Sequence, residues 1–106
     1  MTITQPVGKM MDLVKNTIRK HISTRAPGLL EILNLYSLNI HGKEILTLLI
    51  ESPCTVYRLL YQLYKDRAVA TAIMANLFIA PLSTIENPSI HQFFLNKLKE
   101  CIDKEP

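Results

Sequence analysis

The sequence has little glycine and no tryptophan, and these shortages bear first on the fold class. Only three glycines occur in 106 residues. An all-β sandwich needs many tight turns, where glycine is a favoured residue, so this composition argues against that class. Apolar residues still make up 48% of the chain and charged residues 20%. That balance is typical of a globular protein and argues against intrinsic disorder.

Cysteine is also scarce, and Cys54 and Cys101 are too far apart in the chain to form a paired metal-binding motif. We therefore expect two reduced thiols in or near the core of an intracellular protein. The alternative is a disulfide that ties the last helix to the middle of the chain. The N-terminus has neither the basic start nor the apolar run of a secretory signal, which favours a cytoplasmic location.

The sequence contains no long uninterrupted apolar run. The longest apolar stretch, 68–82, is broken by two polar residues and a proline. We expect it to be too short to span a bilayer and to form a buried helix, so no membrane contact is predicted.

The motifs of common catalytic sites are missing as well. The sequence has no glycine-rich phosphate loop and no nucleophile elbow. His21, His41 and His91 are scattered, and none has a metal-ligand partner at helical spacing. We expect a protein that is not an enzyme and that carries no cofactor and no metal.

Apolar periodicity and helix-breaking residues predict one all-α domain over 1–106, a compact bundle of five to six short helices. The pattern divides it into a basic amphipathic helix at 7–25, core helices over 27–78 and a C-terminal helix at 89–104. Residues 79–85 are expected to form a short strand or extended chain.

Breaks within the core region predict four helices, at about 27–38, 43–51, 56–65 and 67–78. Thr55 and Asp66 are placed to cap the last two of these. The helix at 27–38 is apolar nearly all round, so we expect other parts of the protein to cover it on most sides.

The net charge of +3 is concentrated at the N-terminus, because residues 1–25 carry +4 and the rest of the chain carries −1. On the first helix, Lys9 and Lys20 fall opposite the apolar stripe and Arg19 lies on its flank. The simplest interpretation is a helix packed on the core with a solvated cationic face. The functional alternatives are binding of nucleic-acid phosphates and, less favoured, contact with a membrane surface or a partner. The candidate phosphate-binding residues are Lys9, Lys15, Arg19, Lys20 and Arg25.

The region after Gly42 carries a spacing with functional meaning. Its residues are Pro53 and Thr55 before a helix, Leu59 and Leu63 within that helix, Asp66-Arg67-Ala68 at the start of the next, and Ala70, Ile73 and Leu77 along it. This pattern resembles the helix-turn-helix core of winged-helix DNA-binding regulators. The resemblance implies that helix 67–78 lies in the DNA major groove, with Arg67, Thr71 and Asn76 as its base-reading residues.

Two functional hypotheses follow. The first is a small nucleic-acid-associated protein, a helix-turn-helix DNA-binding regulator of transcription that acts as a homodimer. The alternative is a non-catalytic helical adaptor, or a small subunit of a larger protein or nucleoprotein complex, that binds protein through helices 56–65 and 67–78. Its contact residues would be a tyrosine stripe and a row of small side chains: Tyr57, Tyr61, Tyr64, Ala68, Ala72 and Ala75.

Overall fold

The computed structural model describes the backbone of residues 5–104 and the side chains of residues 9–104. Within this range the chain is a compact all-α globule of six α-helices with no strand, which confirms the predicted fold class. The helices are α1 (Gln5–Arg25), α2 (Leu29–His41), α3 (Ile45–Glu51), α4 (Pro53–Tyr64), α5 (Arg67–Ile73) and α6 (Pro88–Lys104).

The chain after α5 is helical, so the predicted strand or extended segment at 79–85 is wrong. A π-helical turn, Met74–Ile79, continues α5 directly and leads into a 3₁₀ helix, Ala80–Thr84. Pro81 lies in the first turn of that 3₁₀ helix, where its missing N–H costs no hydrogen bond. The proline therefore changes the type of helix without producing extended chain.

Left-handed residues end two of the helices. Gly42 has φ 72° and its N–H donates to the carbonyl of Leu38, so α2 runs three residues beyond the predicted end at Leu38. Lys65, with φ 60°, ends α4 in the same conformation and donates its N–H to the carbonyl of Tyr61. A left-handed residue just after the last helical residue is a common way for a helix to end, and α2 and α4 both end in this way.

The predicted N-caps of α4 and α5 have opposite outcomes. The Asp66 carboxylate accepts hydrogen bonds from the N–H groups of Ala68 and Val69, at 2.8 and 3.2 Å, so its predicted role is confirmed. Thr55 is not a cap, because α4 already begins at Pro53 and the Thr55 hydroxyl lies 2.7 Å from that of Ser52. Proline suits the first helical position, where no N–H is needed.

One hydrophobic core joins all six helices. It contains one face of α1, the inner sides of α3 and α4, and the buried residues of the run that follows α5. The largest fully buried side chains are Tyr57, Phe78, Ile18, Ile22, Leu33, Ile45, Leu49, Leu60, Met74, Ile79, Leu82 and Val14.

A disulfide joins Cys54, in the first turn of α4, to Cys101, in the last turn of α6, with 5.1 Å between the two Cα atoms. The preferred expectation of two reduced thiols is therefore wrong for this structure. The Arg67 guanidinium fixes the same end of α6, since it donates a 2.8 Å hydrogen bond to the carbonyl of Ile102. A cation at this position also suits the negative end of the helix dipole.

The helical run Arg67–Thr84 has 18 residues and is apolar enough to cross a membrane by length and composition. The expectation that this segment is too short is therefore wrong. The core helix of a soluble protein passes the same test, so the finding is a weak indication. A third of the run is buried, and it packs against α1, α4 and α6.

Candidate functional surfaces

Five of the ten large apolar side chains that are exposed on the described part of the chain lie on α2. Ile32, Leu35, Tyr36 and Ile40 recur at the three- and four-residue steps that place side chains on one side of a helix. Their exposed fractions are 51%, 61%, 41% and 56%. We call these four residues the α2 face. Leu38, at 48%, lies on its flank.

The opposite side of α2 holds the helix firmly on the rest of the fold. Leu30 and Leu33 are buried against α1 and α3. The Asn34 side-chain oxygen accepts a 2.8 Å hydrogen bond from the N–H of Ile45 at the start of α3. The Ser37 hydroxyl, fully buried, donates to the carbonyl of Lys43 at 2.6 Å. The α2 face is therefore presented on a fixed helix.

The expectation that α2 is covered on most sides is wrong. Within the described part of the chain, α1 and α3 pack against only one side of it, so Leu30 and Leu33 are buried while the α2 face is not. Sequence reasoning missed this surface, although a signal was present. Eight of the 13 residues of α2 are apolar, more than one buried side can use.

The predicted basic residues of α1 point in different directions. Lys15 is half-buried, and its ammonium donates to the Thr47 hydroxyl on α3 at 3.1 Å. Arg19 donates to the Asn16 side chain on its own helix at 2.7 Å. Arg19 and the remaining three, Lys9, Lys20 and Arg25, are exposed. The structure thus leaves a smaller cationic surface than the five residues predicted.

Lys20 and Arg25 border an open groove between α1 and the 3₁₀ helix Ala80–Thr84, with a volume of about 690 Å³. His21 also lines the groove, and its ring Nε2 lies 3.3 Å from the carbonyl oxygen of Asn76. The groove also contains threonine hydroxyls and short apolar side chains. Its complete lining is Leu13, Asn16, Thr17, Lys20, His21, Thr24, Arg25, Ala80, Pro81 and Thr84.

Helices α4 and α5 follow one another with only residues 65 and 66 between them, but the predicted base-reading residues do not share one open surface. Arg67 is bonded to the end of α6. Thr71 is half-buried, with its hydroxyl 3.2 Å from that of Tyr57. Asn76 is exposed but lies nine positions beyond Arg67, about 13 Å along a helix axis. Up to residue 104, where the described chain ends, no wing follows the pair, because residues 74–84 are helical and α6 comes next.

The tyrosine stripe is interrupted. Tyr57 is only 1% exposed and belongs to the core, so it does not share the surface of Tyr61 and Tyr64, which are each 39% exposed. Of the small residues, Ala68 and Ala72 are exposed and Ala75 is half-buried. All three alanines line a shallow groove of about 520 Å³ between α5 and the end of α6, together with Tyr57, Arg67, Thr71 and Ile102.

The described residues contain no cluster of three or more histidine, cysteine or acidic side chains that could hold a metal ion. The three histidines remain apart in the fold: His21 faces Asn76, His41 ends α2 and His91 lies in α6.

Comparison with known proteins identifies no relative. No protein-family model matches the chain, and neither a curated protein nor a solved structure shows significant similarity to it.

Proposed function

We propose that this protein is a non-catalytic helical subunit that acts by binding another protein chain through the α2 face. The observation that carries the proposal is the exposure of Ile32, Leu35, Tyr36 and Ile40 on one side of a helix whose other side is anchored by Asn34 and Ser37. This hypothesis keeps the adaptor function expected from the sequence and moves the contact surface from α4 and α5 to α2.

The size of the α2 face favours a binding surface over incidental exposure. Together with Leu38, the face leaves roughly 500 Å² of apolar side chain in water, near the upper limit for the largest apolar patch of a typical monomer. At about 25 cal/mol per Å², covering it is worth on the order of 12 kcal/mol before the costs of association. Those costs are about 4–15 kcal/mol, so only a well-fitting partner yields a stable complex.

Site-specific photo-cross-linking in the native cells tests the proposal. A photoreactive phenylalanine analogue replaces Leu35 or Ile40 on α2. The matched control replaces Leu13 on α1, which is 47% exposed. We expect protein adducts from both α2 positions and not from position 13. Equal labelling from α1 and α2, or no adduct from α2, would contradict the proposal.

The second candidate function is nucleic-acid binding through α1. The observation in its favour is the exposed group Lys9, Arg19, Lys20 and Arg25, in the segment that holds all the net positive charge. Phosphate contacts release counterions, so such binding weakens as salt rises. In this version α1 supplies the attraction, and helix 67–78 contributes little because only Arg67 is charged on it.

Fluorescence anisotropy of labelled DNA or RNA at several salt concentrations tests this second function. The variant Lys20→Glu with Arg25→Glu should weaken binding. It should also make the negative slope of log K against log salt less steep by about 2. The variant Lys99→Glu with Lys104→Glu makes the same change of net charge at exposed positions of α6. It should leave the slope nearly unchanged. Equal effects of the two variants would mean that the binding is a non-specific attraction that depends only on net charge.

The cytoplasmic location stays a prediction, and the Cys54–Cys101 disulfide weighs against it. Disulfides are rare in the reducing cytoplasm of mesophiles but occur in oxidising compartments and inside hyperthermophiles. Trapping the free thiols with an alkylating mass tag before cell lysis would decide the redox state in vivo.

A further inference from the structure

We infer that the partner of the α2 face is a second copy of this chain, and that two α2 helices pair antiparallel about a two-fold axis close to Leu35 and Tyr36. The inference depends on the proposed function, because it names the occupant of the same surface. It rests on the spacing of the face, the polar residue Asn39 within it, its area and the dipole of α2.

The spacing of the α2 face suits self-pairing. Leu35 and Tyr36 occupy its middle, with Ile32 one turn before them and Ile40 one turn after Tyr36. In an antiparallel pair the ends exchange, so Ile32 of each copy packs near Ile40 of the other while the central residues meet at the axis. An interface of this kind is isologous, with the same patch on both subunits.

Asn39 lies on the same exposed side, between Leu35 and Ile40. A single polar residue within an apolar helix seam selects one register and one partner at some cost in stability. Its position favours a specific pair over loose hydrophobic association.

The area of the face is sufficient for a reversible dimer. Two patches of roughly 500 Å², each the α2 face together with Leu38, bury about 1,000 Å² in total when fully covered, close to the lower limit for specific interfaces. A larger obligate partner would need a larger apolar surface than α2 presents. The area therefore fits a small symmetric contact that forms and dissociates with protein concentration.

The dipoles of the two helices favour the antiparallel orientation. Glu31 lies in the first turn of α2 and is exposed. Antiparallel pairing places the positive N-terminal end of each α2 beside the negative C-terminal end of the other. Parallel pairing would place the two Glu31 carboxylates together.

Sedimentation equilibrium of the full chain, at protein concentrations up to about 1 mM, tests the inference. We expect the wild type to dimerise reversibly. Leu35→Glu and Leu35→Lys should each weaken the dimer by about 100-fold or more, because each places two like charges at the axis. Since Leu35 is 61% exposed, both variants should fold with unchanged circular dichroism. Leu13→Glu, the same change at an exposed leucine of α1, should leave dimerisation intact.

Mixing the two Leu35 variants gives the decisive result. A Glu–Lys pair at the axis should restore a heterodimer, whereas two variants that failed for unrelated reasons would stay monomeric together. A monomeric wild type over the whole concentration range would overturn the inference, and so would a dimer that Leu35→Glu leaves unchanged. If the wild type is monomeric and position 35 forms adducts with a different protein, the inference that the partner is a second copy is wrong. The proposed function would still stand. The absence of both dimer and adducts would overturn both.

Discussion

Breaking the Cys54–Cys101 disulfide should remove a large part of the stability of this protein. The bridge closes a segment with a sequence separation of 47 residues. In the chain-entropy description, closing a loop of this length lowers the conformational entropy of the unfolded chain. This raises the free energy of the unfolded state by about 4 kcal/mol. Small domains are typically stable by about 5–15 kcal/mol, so this loss is large. For a chain of about 100 residues, each kcal/mol corresponds to about 4–8 °C in Tm, which gives a shift of roughly 20 °C.

Urea denaturation of the oxidised and fully reduced wild type measures this difference directly. Both forms contain the same side chains, so the comparison separates the cross-link from packing. The double variant Cys54→Ala with Cys101→Ala provides the control. It should denature near the reduced wild type, slightly lower because Cys101 is fully buried and alanine leaves a small cavity. Adding reductant should have no effect on it.

Two results would refute this reasoning. The first is titration of two thiols in the native protein purified without reductant, which would mean that the bridge does not form. The second is a free energy of unfolding that differs by less than about 1 kcal/mol between oxidised and reduced protein. The disulfide would then not stabilise the protein by restricting the unfolded chain.

Three further substitutions test local features of the fold, each by urea denaturation. Asp66→Ala removes the two hydrogen bonds that cap α5 and should cost about 1 kcal/mol, with Asp103→Ala as an exposed control of nearly no effect. Phe78→Ala empties a fully buried site and should cost about 3–5 kcal/mol; a cost below about 1 kcal/mol would place this side chain outside the core. Gly42→Ala meets no atom within 4 Å, so the left-handed backbone alone should cost about 1–2 kcal/mol, and a neutral result would contradict the φ of 72°.

Local signals in the sequence predict much of this fold because they act over a few residues. Gly42 ends α2 through its backbone conformation, and Asp66 starts α5 through its own carboxylate. Neither effect needs a distant partner. Where two local signals compete, prediction fails: Pro53 and Thr55 both suit a helix start, and the chain begins α4 at the proline.

The features that the sequence did not reveal depend on contacts between distant residues. Cys54 and Cys101 form no recognisable spacing, and only the packing of α6 on α4 brings them together. The periodicity of α2 shows which side chains share a side, but it does not show whether another element covers them. The periodicity of α1 likewise does not show that the Lys15 ammonium bonds to Thr47 on α3. This bond takes Lys15 away from the surface where it was predicted to contact nucleic-acid phosphates.

Arg67 shows how the disulfide region bears on the choice between the two functions. The helix-turn-helix resemblance makes Arg67 a base-reading residue, yet in the fold it bonds to the Ile102 carbonyl, next to the half-cystine Cys101. The Arg67 guanidinium must give up its bond to the end of α6 before it can contact DNA. The other exposed side chains of α5 are mainly alanines, which offer no charged group for that contact. Nucleic-acid binding would therefore depend on the exposed cations of α1, and protein binding on the apolar side chains of α2. Because these surfaces lie on different helices, charge reversal on α1 and introduction of a charge on α2, as in Leu35→Glu, separate the two functions.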